Sequence, residues 1–134
     1  MSISRILTVC AVASLLASCS SVIDPSKNTV EPFSGVVPVG GTFTKTGFSW
    51  SKQGEVEVTM TSVTPTPTNG PLGMYIGQSD SSGNCFQLAG YVSQAIVNRT
   101  VQFGVLQKGT YCIAVYDPGA LTVAANVAGN FSHP

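Results

Sequence analysis

Side chains able to do chemistry are few in this sequence, and their spacing limits what they could do. The single histidine, His133, stands second from the end, where the chain is expected to fray and a general base would be poorly held. A Ser-His-Asp or Cys-His arrangement would have to be built on it. Glu55 and Glu57 form a close carboxylate pair. Their alternate spacing puts both on one strand face, about 7 Å apart, whereas the paired carboxylates of a glycosidase flank the substrate from opposing walls of a cleft. We therefore expect no enzyme.

Asp80 lies in the oxygen-rich segment 78–84 (QSDSSGN) and Asp117 in the turn Asp117-Pro118-Gly119. Calcium takes six to eight oxygens, often from several carboxylates, so one Asp per loop makes a thin calcium site. The alternative is that each Asp accepts backbone N–H bonds and forms its own turn. Trp50, Tyr75, Phe86, Tyr91 and Tyr116 offer aromatic surface. Tyr75 and Tyr116 are out of phase with the apolar residues around them, so they are expected to point outward. Together with Asp80 and Asp117 they make up a candidate ligand surface for a glycan or a protein, with calcium as the one cofactor to consider.

The elements that would position these residues read as β-strands. In 55–61 (EVEVTMT), Val56, Val58 and Met60 share one face and Glu55, Glu57, Thr59 and Thr61 the other, which is the period of a half-buried strand. Similar runs are Leu72, Met74, Ile76; Val101, Phe103, Val105; Tyr111, Ile113, Val115; and Leu121, Val123, Ala125, Val127, with a weaker pair around Phe43 and Phe48 to Trp50. Gly-, Pro-, Asn- and Asp-rich turns separate them. A chain of 134 residues suits one domain. The expected fold is all-β, a single antiparallel β-sandwich of jelly-roll-like form over 35–134.

Only 9% of the residues are charged, against about 25% in ordinary globular proteins. Six basic residues balance six acidic ones, so no long-range field would draw a nucleic acid, and none is expected as a partner.

The amino-terminal segment has a different character. Arg5 precedes an apolar run at 6–16 (ILTVCAVASLL) and then small residues, the layout of a secretory signal. That run is shorter than the roughly 20 residues a bilayer-spanning helix needs. It ends in Leu16-Ala17-Ser18-Cys19, which resembles the lipobox of bacterial lipoproteins, in which the cysteine accepts a diacylglyceryl group. The other reading is an ordinary cleaved signal with Cys19 incidental. The resemblance implies a signal peptide at 1–18, lipid on Cys19 and a membrane partner reached through palmitate-like acyl chains. Ser20 after the cysteine implies passage to the outer membrane of a double-membraned envelope, on its periplasmic face or at the cell surface. Residues 19–34, interrupted by Pro25 and Pro32, read as a tether spanning about 20 Å.

With Cys10 removed in the signal and Cys19 given to lipid, Cys85 and Cys112 remain as an even pair in an oxidising compartment and are expected to form a disulfide. A two-cysteine metal site is the alternative, but no His or further Cys lies close enough in sequence to complete it.

The segment from Lys108 to Gly119 (KGTYCIAVYDPG), entered through a Gly-Thr-Tyr turn and left through an Asp-Gly turn, resembles the last strands of bacterial pre-peptidase C-terminal domains. An aromatic strand near Phe48 and Trp50 followed by the alternating strand at 55–61 fits the same pattern. The likeness covers about 34–134. It implies a jelly-roll module without catalytic activity that assists secretion, localisation or binding. The expected function is a lipid-anchored envelope lipoprotein whose sandwich is a structural or interaction module. The alternative is a glycan- or protein-binding module.

Overall fold

The computed structural model describes residues 25–134. The expected signal peptide, Cys10 and Cys19 lie outside them. A 3-10 turn, Pro25–Lys27, leads into eight strands: β1 Thr29–Val37, β2 Thr42–Trp50, β3 Gly54–Thr64, β4 Gly73–Ser79, β5 Cys85–Gln94, β6 Arg99–Leu106, β7 Gly109–Tyr116 and β8 Ala125–His133. They form two antiparallel four-stranded sheets, ordered β1-β8-β3-β6 and β2-β7-β4-β5. This is the jelly-roll form of the β-sandwich, as expected. Consecutive strands alternate between sheets except at the β4–β5 hairpin, so the connections gather at the two ends of the sandwich.

Alternation builds the core. Val56, Val58 and Met60 of β3, Met74 and Ile76 of β4, Ile113 and Val115 of β7, and Val127 and Phe131 of β8 are buried between the sheets, where Phe48 meets Phe131 edge to face at 4.9 Å. β7 is buried on both faces over Tyr111 to Val115, because it is an interior strand whose outer face is covered by neighbouring rings and a disulfide. In β2 the phase slips at Gly47, whose positive φ of 92° accompanies a bulge between Thr46 and Phe48. The extra residue turns Phe48 and Trp50 inward.

Four sequence expectations change. The tether read over 19–34 is cut short, because β1 starts at Thr29 and pairs with β8 along its whole length. Pro32 is tolerated there because β1 is an edge strand, with one side free of ladder partners. The last strand was expected over Leu121 to Val127 but runs Ala125–His133. The amides of Gly119, Ala120 and Leu121 are already bonded to Asp117, which excludes that stretch from a ladder. In β6, Val105 is exposed and Leu106 buried, since the register places Val105 opposite Glu55 on the outer face and Leu106 opposite Gly54. Strand β5 was not read at all. Its apolar residues do not alternate, and the β4–β5 register shifts between Tyr75 and Gly77, opposite its middle.

Candidate interaction surface

On the outer face of the β2-β7-β4-β5 sheet, β4 presents Gly73, Tyr75, Gly77 and Ser79, and β7 presents Cys112, Ala114 and Tyr116 beside them. Tyr116 is the cross-strand partner of Gly73, and its ring occupies the space a side chain would take there: a Cβ on Gly73 would fall 2.1 Å from Tyr116 Cζ. Tyr75, two residues along β4, puts its ring 6.2 Å from that of Tyr116 at a tilt of 42°. Both tyrosines are half-buried and on the outer face, so the outward orientation read from their phase is what the fold contains.

The expected disulfide joins Cys85 at the start of β5 to Cys112 in β7, with a Cα–Cα separation of 5.8 Å. It passes over Gly77 of the intervening strand β4. A Cβ at 77 would lie 2.7 Å from Cys85 Sγ and 2.9 Å from Cys112 Sγ, so β4 accommodates the crosslink only because residue 77 has no side chain.

The two aspartates are placed apart. Asp80 follows β4, at the end where β7 begins, and Asp117 follows β7, at the end where β4 begins, which separates them by about a strand length, on the order of 20 Å. Each is spent on its own turn. Asp117 Oδ2 accepts the Gly40 amide at 2.8 Å, and Oδ1 accepts those of Gly119, Ala120 and Leu121 at 2.9, 2.6 and 3.1 Å. The bond from Gly40, then those from the Ala120, Gly119 and Leu121 amides, holds the carboxyl below its ordinary pKa against the opposing effect of desolvation. Asp80 accepts the Asn84 side-chain amide and the Ser82 and Asn84 backbone amides, each at 2.8 Å. Its pKa is lowered as well, chiefly by the Asn84 side chain. Oxygens surrounded by N–H donors are poorly presented to a cation. Among the described residues no group of three or more His, Cys, Asp or Glu converges as a metal site would require. The turn-forming use of both residues therefore accounts for the geometry.

His133 departs furthest from its expectation. Rather than fraying, it is the last residue of β8 and is 2% exposed. Its ring stacks on Trp50 at 4.9 Å, and Trp50 stacks on Tyr111 at 4.3 Å, with planes 23° and 8° apart. Nε2 donates to Glu31 Oε1 at 2.8 Å. The Trp50 Nε1–H and the Tyr111 hydroxyl both donate to the Gln107 carbonyl, each at 2.9 Å, and burial, with Tyr91 adding, pushes the Tyr111 phenol above its ordinary pKa. Every polar atom that the stack brings inside thus finds a partner. Glu55 and Glu57 lie on the outer face of the other sheet, where Glu57 accepts the Thr100 and Thr59 hydroxyls. They do not meet Asp80 or Asp117.

Sequence reasoning missed an apolar groove of about 230 Å³ lined by Val63, Pro67, Pro71, Ala95, Ile96 and Val97, with Thr66 and Gly70 at its side. Residues 95–98 do not alternate, and residues 66–71 read only as a turn. The clue available in sequence was a hydrophobic Ala95-Ile96-Val97 run with no strand to belong to. Compared with known proteins, the chain matches no protein-family model, and the search of curated proteins finds no relative.

Proposed function

We propose that the protein is a lipid-anchored cell-envelope lipoprotein of bacteria, anchored through Cys19 and carrying a sandwich that acts as a non-catalytic interaction module. The observation that carries the non-catalytic part is the engagement of Asp117, Asp80 and His133, the residues on which sequence-level chemistry would depend. Four backbone amides, a local turn and the Trp50–Glu31 contacts respectively hold them as parts of the frame. Membrane attachment is supported by the four-residue lipobox and by its position after an apolar run. Two or three acyl chains, at about 0.8 kcal/mol per buried CH₂, hold a small protein to a bilayer without help from the domain. The likeness to pre-peptidase C-terminal domains belongs to the same proposal and is supported by the two-sheet architecture it implies.

The Cys19→Ala variant tests the anchor. It should lose labelling by a fatty-acid analogue and leave the membrane fraction; retention of both would overturn the lipoprotein reading.

A second reading, a glycan-binding module, is favoured by the Tyr75–Tyr116 pair, whose rings 6.2 Å apart lie on an open sheet face. Aromatic faces are a common platform for sugar rings. Tyr75→Ala and Tyr116→Ala should each weaken retention on a cell-wall glycan column at least tenfold if that reading holds, whereas unretained wild-type protein would remove it.

A further inference from the structure

Strand β5 is held to the sandwich unevenly along its length. None of its residues belongs to the buried core; Leu88 and Tyr91 pack against that core half-buried, and Phe86 stands 59% exposed. The second half is fastened several times over. Val92, Ser93 and Gln94 pair with Tyr75, Met74 and Gly73 of β4, the Tyr91 hydroxyl donates to the Val105 carbonyl of β6 at 3.1 Å, and the Ala95 amide just beyond the strand donates to the Leu72 carbonyl at 2.9 Å. The first half has three pairs with β4, Cys85 with Ser79, Phe86 with Gln78 and Gln87 with Gly77, after which the register breaks and residues 88–91 lie opposite Ile76 alone. Gly90, at a φ of 82° and with open space where a side chain would stand, gives this break a joint. On its other side β5 is a sheet edge with no ladder partner. The turn that leads into it is self-contained, since the Asp80 carboxylate bonds only to Ser82 and Asn84. Beyond the three pairs and Leu88, what ties residues 80–90 to the body of the sheet is the Cys85–Cys112 bond, which passes over β4 to reach β7.

We propose that this disulfide is a redox-operated clasp: a dithiol reductant opens it at Cys85, and residues 80–90 then swing off β4 while the rest of the sandwich stays folded. The two sulfurs differ in access. Cys112 is 0% exposed in the interior strand β7, whereas Cys85 is half-buried on the edge strand β5. A thiolate of the reductant attacks Cys85 Sγ, the S–S bond breaks, and its electron pair leaves on Cys112 Sγ, which takes up a proton. The second thiolate of the reductant then displaces Cys85 Sγ from the mixed disulfide, and that sulfur is protonated in turn. The dithiol ends as a disulfide and the protein as two thiols, a transfer of two electrons and two protons. Once the crosslink is gone, opening comes first where least else opposes it, and residues 80–90 are that place. Their release uncovers Gly77–Ser79 of β4 as a new sheet edge. Nothing in the clasp depends on the anchor at Cys19.

Hydrogen exchange read by mass spectrometry on the full chain, before and after incubation with dithiothreitol and again after reoxidation, follows the opening. Expected is exchange at 85–90 at least about tenfold faster in the reduced protein, reversed on reoxidation, with the β3, β7 and β8 amides still protected. The Cys85→Ser, Cys112→Ser double variant should show the same local opening with no reductant present, which assigns it to the bond. A bond that dithiothreitol leaves intact in the folded protein, unchanged exchange at 85–90, or loss of protection throughout β3, β7 and β8 would each overturn the clasp. The point of attack is read with a dithiol reductase whose second cysteine is replaced by serine, so that it stops at the mixed disulfide. The expected adduct is on Cys85; an adduct on Cys112, or none, would overturn the assignment of the attacked sulfur and with it the clasp as proposed.

Discussion

His133 lies face to face with Trp50, ring centroids 4.9 Å apart, and this contact joins β8 of one sheet to β2 of the other. The stack continues to Tyr111 and is bordered by the Glu31 carboxylate on β1, so a single imidazole touches both sheets and the first strand. Pro134 extends the closure by packing against Gly54, where a Cβ would fall 2.3 Å from Pro134 Cγ.

Truncating that imidazole should therefore cost more than a terminal residue ordinarily does. His133→Ala leaves a void beside Trp50 and removes the hydrogen-bond partner of Glu31, and is expected to destabilise the fold by about 2–4 kcal/mol. Urea unfolding followed by Trp50 fluorescence measures it. A change below about 0.5 kcal/mol, the level of a neutral surface substitution, would mean that the end of β8 frays after all.

The crosslink and its glycine form a second unit. Opening the 27-residue separation between Cys85 and Cys112 by the Cys85→Ala, Cys112→Ala double replacement should remove about 3–4 kcal/mol in the chain-entropy model. Gly77→Ala is expected to be strongly destabilising in the oxidised protein and less so in the double-alanine background, where two of the three close atoms are gone and only the Phe86 carbonyl, 2.7 Å from the added Cβ, remains. A double-mutant cycle by thermal denaturation reads the coupling; equal penalties in both backgrounds would show that the disulfide does not confine residue 77.

Acid should loosen the turns of Asp117 and Asp80. Both carboxyls titrate below their ordinary value of 3.8 in the folded protein, so in that range the unfolded chain binds protons that the folded one does not. Their contribution is present in full above about pH 5, declines as the pH drops past 3.8, and is gone once the folded-state groups are protonated. Melting temperatures recorded from pH 7 to pH 2 should fall at the acidic end, and Asp117→Asn should flatten part of that fall. An unchanged slope in the variant would argue against the four-amide cradle.

Tyr116 and Gly73 offer a direct check on the outer face. Gly73→Ala should expel the Tyr116 ring from its seat, raising the accessibility of that tyrosine to nitration while leaving the core β3 and β7 amides protected from hydrogen exchange.

Local pattern carried much of the architecture. The alternation of Val56, Val58 and Met60 follows from residues adjacent in sequence, whereas the burial of β7 on both faces comes from its interior place in the sheet, and the Cys85–Cys112 pair follows from counting cysteines. The placement of Tyr75 and Tyr116 on an outer face also came from phase alone. Reading failed where register or edge position mattered: at β1, whose Pro32 resembles a linker residue until an edge strand excuses it; at β5, whose alternation is broken; and at Leu121, whose amide the Asp117 turn takes.

The sequence by itself therefore determined the period of the strands, the pairing of the two cysteines and, through residues 16–19, the expectation of a lipid anchor, because each depends on chain neighbours or on composition. Only the tertiary structure decided that His133 is buried and that Asp80 and Asp117 sit at opposite ends. Those facts depend on which distant strands become neighbours. In a jelly roll nearly every connection crosses between sheets, so residues that meet at one end are separated by tens of positions in the chain, and only cross-strand register brings them together.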